Sequence, residues 1–196
     1  MDRSQAGRLT LASTSPQRRA ILEQLAIPFD VVPPDYVEHD PPDADPTELV
    51  LRHAEGKARS VHTPERLTLG VDTTVVLDDR VYGKAAHADD ARRMLNELSG
   101  RTHAVVSGLC LLGAGEDVLL HERTEVTFRV LSHDVVAAYL ASGEWEGRAG
   151  AYAVQGLGGR LVERIEGDYL NVVGLPGALL VSVLERHASK LLQTPR

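Results

Sequence analysis

The chain has 196 residues, 43% hydrophobic and 25% charged, with a formal net charge of -7. This composition can build a core, and the acidic balance argues against a nucleic-acid polymer as partner, since that needs a broad basic surface. A single cysteine, Cys110, sits in the apolar run Leu109–Leu112, which excludes a disulfide framework and a cysteine-based zinc site and makes an inert thiol the expectation.

The first residues, MDRSQAGRLT, have no apolar leader core, and no stretch is long enough to cross a bilayer, so a cytoplasmic protein without a membrane partner is expected. Leu9–Ala12 reads as a strand. Ser15 and Pro16 are an N-cap and a first helical residue, and Ile21, Leu22 and Leu25 repeat at helical spacing. Arg18 and Arg19 then fall in the first turn, where the backbone dipole disfavours cations. Two readings fit: both arginines are solvated surface residues, or they meet a phosphate together with Ser13 and Ser15.

Phe29–Val32 is the next strand, followed by an acidic loop from Pro33 to Pro46 with Asp35, Glu38, Asp40, Asp43 and Asp45. Asp45-Pro46-Thr47-Glu48 starts a helix to about Ser60. It is expected to bury Leu51, Ala54 and Ala58 and to carry Lys57 on a neighbouring face. Leu69–Leu77 is a strand with a turn at Asp78-Asp79, and Val81–Lys84 returns from it. Asp89–Leu98 is helical with Gly100 as a stop. Thr102–Leu112 and Val118–Leu131 form a long hairpin, and Ser132 caps a further helix. The segment GRAGAYAVQGLGG precedes a strand, Leu161–Ile165, and a last helix runs from about Pro176 to Leu192. The mixture of hairpins with strand–helix alternation predicts an α/β fold with a mixed sheet flanked by helices. There is no internal repeat, and residues 1–196 read as one catalytic domain.

Asp72 is the sharpest chemical signal. It lies mid-strand among apolar residues, where an acid is disfavoured and costly to bury unpaired. Lys57 and Lys84, taken singly, read as solvent-exposed. The eight histidines show no ligand spacing. Gln155 is the one side chain of GAYAVQGLGG able both to donate and to accept, as recognition of a base requires; the run has neither a dinucleotide-binding nor a Walker pattern.

Six blocks in order, LASTSPQRRAILEQL, LGVDTTVVLDDRVYGK, LSGRTHAVVSG, TEVTFR, RAGAYAVQGLGGRLVERIEGDY and NVVGLP, resemble the Maf family of nucleoside triphosphate pyrophosphatases from Leu9 to about Leu184. The resemblance implies two lobes around a deep cleft, in outline like the inosine triphosphatase group. It implies hydrolysis of a nucleoside triphosphate to monophosphate and pyrophosphate, a divalent cation (Mg, Mn or Co) and a homodimer. It implies that Ser13, Ser15, Arg18, Arg19, Lys57 and Lys84 hold phosphates, that Asp72 is the proton acceptor and that Glu38 and Asp72 are the metal ligands. Gln17, Thr73 and Gln155 fall at base-specificity positions of the dTTP/UTP branch, where Gln17 departs from the usual arginine. Val71 replaces a small alanine. The competing expectation is a nucleotide-sensing regulator of cell division or septum formation without turnover.

Overall fold

The computed structural model describes residues 7–41 and 44–193; Asp43 of the acidic loop lies outside them. Seven strands form one mixed sheet. Leu9–Ala12 (β1) pairs in parallel with Phe29–Val32 (β2) and with Thr68–Leu77 (β3). β3 then pairs antiparallel with Thr102–Leu112 (β5), β5 with Val118–Phe128 (β6), and β6 with Val162–Glu166 (β7). A short strand, Arg80–Tyr82 (β4), turns back on the end of β3 through Asp78 and Asp79, both at positive φ, as a two-residue hairpin requires. The helices are Pro16–Gln24 (α1), Pro46–Val61 (α2), Ala88–Leu98 (α3), His133–Ala141 (α4), Tyr169–Val173 (α5) and Gly177–His187 (α6).

The caps read from sequence form. Ser15 accepts from the Arg18 amide, Asp45 from the Thr47 and Glu48 amides, and Ser132 from the Val135 amide. Three details differ from expectation. The last helix stops at His187, because Ala188 leaves helical geometry and a 3-10 turn follows over Ser189–Leu192. The short α5, with Asp168 accepting from the Leu170 amide, had no clear sequence signal. On α2 the buried residues are Leu49, Val50, His53, Ala54, Lys57 and Ala58, with Leu51 only partly covered.

Glycines set that rotation of α2. Gly70 on β3 and Gly108 on β5 face the helix backbone so closely that a Cβ would stand 2.1 Å from the Ala54 carbonyl oxygen and 2.3 Å from that of Val50. Asp72 is two residues beyond Gly70 and opposite Gly108, so it shares their face of the sheet. The close approach of α2 therefore brings Lys57 over Asp72.

Two apolar cores build the two lobes. One gathers Leu9, Leu11, Leu22, Leu69, Leu109, Leu180 and Leu184 under α1 and α6; the other gathers Leu95, Leu98, Val105, Val126, Phe128 and Tyr152 under α3 and α4. Between them the sheet has a gap. β1 pairs with β3 only at Thr68 and Leu69, and β4 pairs only from Val75, so this edge of β3 is unpaired over residues 70–74. The cleft opens there. Cys110 is buried, and burial pushes its thiol up to about 12, as an inert thiol requires. No helix among the described residues is long and apolar enough to cross a membrane.

Candidate active site

The cleft between the lobes has a volume of about 680 Å³, within the range of small-molecule sites. Its wall includes Ser13, Ser15, Gln17, Arg18, Glu38, Lys57, Asp72, Thr73, Lys84 and Gln155, so the fold brings together ten of the residues singled out in the sequence. Arg19 is not among them. It is exposed on the outer side of α1, because adjacent helical positions point about 100° apart.

Lys57 occupies the centre. Its Nζ donates to Glu38 at 2.6 Å and to Asp72 at 2.5 Å, with 10% of its side chain exposed. The expectation of a solvent-exposed lysine is corrected: the amine is buried because two acids, from the loop and from β3, compensate its desolvation. Burial pushes the Glu38 carboxyl up, but the hydrogen bond and charge of Lys57, with smaller contributions from His53 and Lys84, outweigh it and hold Glu38 below the usual glutamate range. Asp72 is 15% exposed at the cleft floor.

Arg18 turns inward from the first turn of α1. Its Nε donates to the Gly174 carbonyl at 2.9 Å, and its two terminal nitrogens donate to the Ser13 hydroxyl at 3.3 Å and the Thr73 hydroxyl at 3.4 Å. Burial lowers its pKa from the ordinary arginine value, and the charges of Asp72 and Glu38 oppose this. Ser13 also accepts from the Ser15 amide, and the Ser15 hydroxyl donates to Gln17 Oε1 at 3.0 Å. The Thr73 hydroxyl meets Ser107 Oγ at 2.8 Å and the Gly174 carbonyl at 3.2 Å, so in this state it anchors Arg18. Lys84 is exposed at the rim and pairs through its backbone with Ala149.

Sequence reading missed several residues of this wall. Arg148 lines the cleft with its Nε buried and without a hydrogen-bond partner. Glu144 accepts from the Leu157 and Gly158 amides at 3.0 and 2.9 Å, which fixes the turn after Gln155. A Cβ at Gly156 would stand 2.0 Å from the Glu144 carboxylate, so a larger residue there would push that side chain off the turn. Asp40 and His53 also line the cleft; the signal was His53 standing one helical turn before Lys57.

Among the described residues no three His, Cys, Asp or Glu side chains converge as a metal cluster. Glu38 and Asp72 nevertheless offer hard oxygen donors to either side of one point, the Lys57 amine. Carboxylate oxygens are the donor type a magnesium-type cation takes together with waters and phosphate oxygens, and here both acids are engaged by the Lys57 ammonium.

The family model described as Maf-like protein matches residues 8–187. A dTTP/UTP pyrophosphatase of Nitratidesulfovibrio vulgaris is 46% identical over 94% of this chain and 90% of its own length. One from Gloeobacter violaceus is 45% identical over 90% of this chain and 94% of its own. One from Pyrococcus furiosus is 40% identical over 91% and 94%. Among solved structures, a HAM1 protein from Coxiella burnetii aligns with a TM-score of 0.42 at 17% identity, over 62% of this chain and 72% of that one.

Proposed function

The chain belongs to the Maf family, and from that premise we propose that it is a nucleoside triphosphate pyrophosphatase acting on dTTP, UTP and related or modified pyrimidine triphosphates. The observation that carries the reading is the cleft between the lobes, where Asp72 lies on the floor among Arg18, Lys57, Lys84 and Arg148. The cations match a triphosphate. The regulator reading is not favoured, because the relatives at 40–46% identity over most of the chain are named as pyrophosphatases.

In the reaction a water attacks the α-phosphorus, the α–β anhydride bond breaks, and the monophosphate and pyrophosphate leave. Asp72 accepts the proton of the attacking water. Arg18, Lys57 and Lys84 neutralise the charge that grows on the departing pyrophosphate. Ser13, Ser15 and the Gln17 amide at the start of α1 accommodate phosphate oxygens. Glu38 and Asp72 would hold the divalent cation, which when bound acidifies water and neutralises phosphate charge. Gln17 and Gln155 stand at the same end of the cleft, beside a smaller apolar recess with Tyr169 and Val173, and face the base. The family resemblance also carries a homodimer and a cytoplasmic location, which sedimentation and cell fractionation test.

The deciding assay offers the eight common ribo- and deoxyribonucleoside triphosphates with magnesium, manganese or cobalt and measures pyrophosphate. Pyrophosphate and monophosphate from dTTP and UTP are expected. Release of orthophosphate, or binding without any product, overturns the reading.

A further inference from the structure

The loop before α2 carries Glu38, yet its described residues between β2 and α2 have no regular secondary structure. Its side chains alternate. Tyr36, Glu38 and Asp40 turn toward α2, whereas Val37 is 87% exposed to solvent. Tyr36 and Asp40 are held by the same residue. His53, 2% exposed, meets Tyr36 Oη through Nδ1 at 3.0 Å and Asp40 Oδ1 through Nε2 at 2.7 Å. The carboxylate can only accept, so Nε2 carries the proton, and Nδ1 is left to meet the Tyr36 hydroxyl. Tyr36 also lies flat on α2 where Gly56 leaves room: a Cβ there would stand 2.2 Å from the ring. Arg52 adds a bond from Nη2 to the His39 carbonyl at 3.4 Å.

We propose that His53 is a positioning residue of the reaction: by gripping residues two before and two after Glu38, it aims that carboxylate at Lys57 and the phosphate side of the cleft. His53 and Lys57 are one helical turn apart on the same face of α2, so the grip and the target are set by one rigid element. Without the grip, the exposed loop keeps only the Glu38–Lys57 bond and the weak Arg52 contact, and a carboxylate on a free loop is no longer held to a fixed geometry. Groups that orient a ligand or base from behind typically change affinity or activity by about 10–100-fold when removed.

The effect on turnover rests on the pyrophosphatase reading, so the test has one arm that does not. The backbone order of residues 36–40 is followed by nitrogen-15 NMR relaxation in wild type and in His53→Leu. In wild type the order parameters stay near the rigid value of about 0.85, and in His53→Leu they fall below about 0.6. Unchanged order at Glu38 overturns the proposal, whatever the activity. In the second arm, pyrophosphate release is measured for wild type, His53→Leu, Glu38→Gln and the double variant. His53→Leu loses about tenfold or more in kcat/KM, and the same change costs about twofold or less once Glu38 is glutamine, because coupled residues are not additive. Losses that multiply in the double variant overturn the proposal. His53→Gln, whose amide donates to Asp40 and accepts from Tyr36, restores part of the activity. Tyr36→Phe, at the half-buried end of the grip, gives a smaller loss that also vanishes with Glu38→Gln, and it decides the case if His53→Leu does not fold. A wild-type protein that releases no pyrophosphate refutes the reaction and leaves the backbone order of the Glu38 loop to judge the grip.

Discussion

Replacing Asp72 by asparagine separates the chemistry from the fold. The side chain keeps its shape, and its amide oxygen can still accept from the Lys57 amine that now donates at 2.5 Å. Lys57 also keeps Glu38 at 2.6 Å, so no buried cation is left without a carboxylate. The variant loses the difference between a charged and a neutral acceptor, about 1–2 kcal/mol. For a chain of this size that lowers the thermal midpoint by about 2–8 °C. Turnover is a different matter: a proton acceptor in the transition state is worth at least about a hundredfold, or roughly 2.7 kcal/mol of barrier. Binding should move the other way, since removing a negative charge from the cleft floor reduces repulsion of the phosphates. The assay is pyrophosphate release from UTP at saturating substrate, with thermal unfolding and nucleotide titration on the same preparations. The expected outcome is a folded protein with a large fall in kcat and a triphosphate affinity equal to or tighter than wild type. A kcat within about tenfold of wild type, below the range of general-base catalysis, would refute the role given to Asp72. So would a loss confined to KM.

Lys57→Met should destabilise more than Asp72→Asn, by about 3–5 kcal/mol, because it leaves two adjacent carboxylates with no amine between them; comparing chemical denaturation of the two variants checks the order. Gly56→Ala should keep or raise the thermal midpoint, since alanine favours a helix by about 0.5–1 kcal/mol, while pyrophosphate release falls because the new methyl displaces Tyr36 and the Glu38 loop with it. His103 is buried and neutral, and burial lowers its pKa to about 4. The unfolded chain binds this proton first, so stability is complete above about pH 6.5 and falls by roughly 2 kcal/mol on going to pH 5; denaturation at both pH values should show a flatter response for His103→Gln. Gln17→Arg should sharpen the preference for dTTP and UTP over other triphosphates, since a charged fork replaces a neutral amide, and competition among triphosphates reads it out; an unchanged ranking removes Gln17 from base selection.

The elements were legible in the sequence because their signals are local. Ser15-Pro16 and Asp45-Pro46 mark helix starts by capping chemistry, and the Asp78-Asp79 turn and the long β5–β6 hairpin follow from alternation. Asp72 was legible for the same reason, as an acid out of place on an apolar strand. Lys57 was not. Its burial depends on Glu38 and Asp72, which the fold brings to it from a loop and from another strand, and an isolated lysine on a helix flank carries no trace of that. The phase of α2 was missed because Gly70 and Gly108 draw its backbone onto the sheet, a packing constraint that apolar periodicity does not encode. Arg148 and Glu144 were hidden inside a glycine-rich block and its approach, where small residues draw attention to the turn and away from the charges that hold it.

The arrangement also explains why two arginines begin α1 and why only one enters the cleft. Arg18 spends its donors on neutral oxygens, the Gly174 carbonyl and the Ser13 and Thr73 hydroxyls, at 2.9 to 3.4 Å. Among the described residues no carboxylate touches this half-buried guanidinium, and desolvation lowers its pKa while Asp72 and Glu38 act only at longer range. A phosphate that takes the place of the neutral acceptors converts ordinary hydrogen bonds into charge-assisted ones, which are roughly twice as strong. Lys57 is in the opposite condition, already satisfied by two carboxylates. Arg18 is therefore held in reserve for an anion, while Lys57 keeps the Glu38 and Asp72 carboxylates in place before the anion arrives. That division lets an acidic protein present a local site for a polyanion without placing an uncompensated positive cluster in its interior.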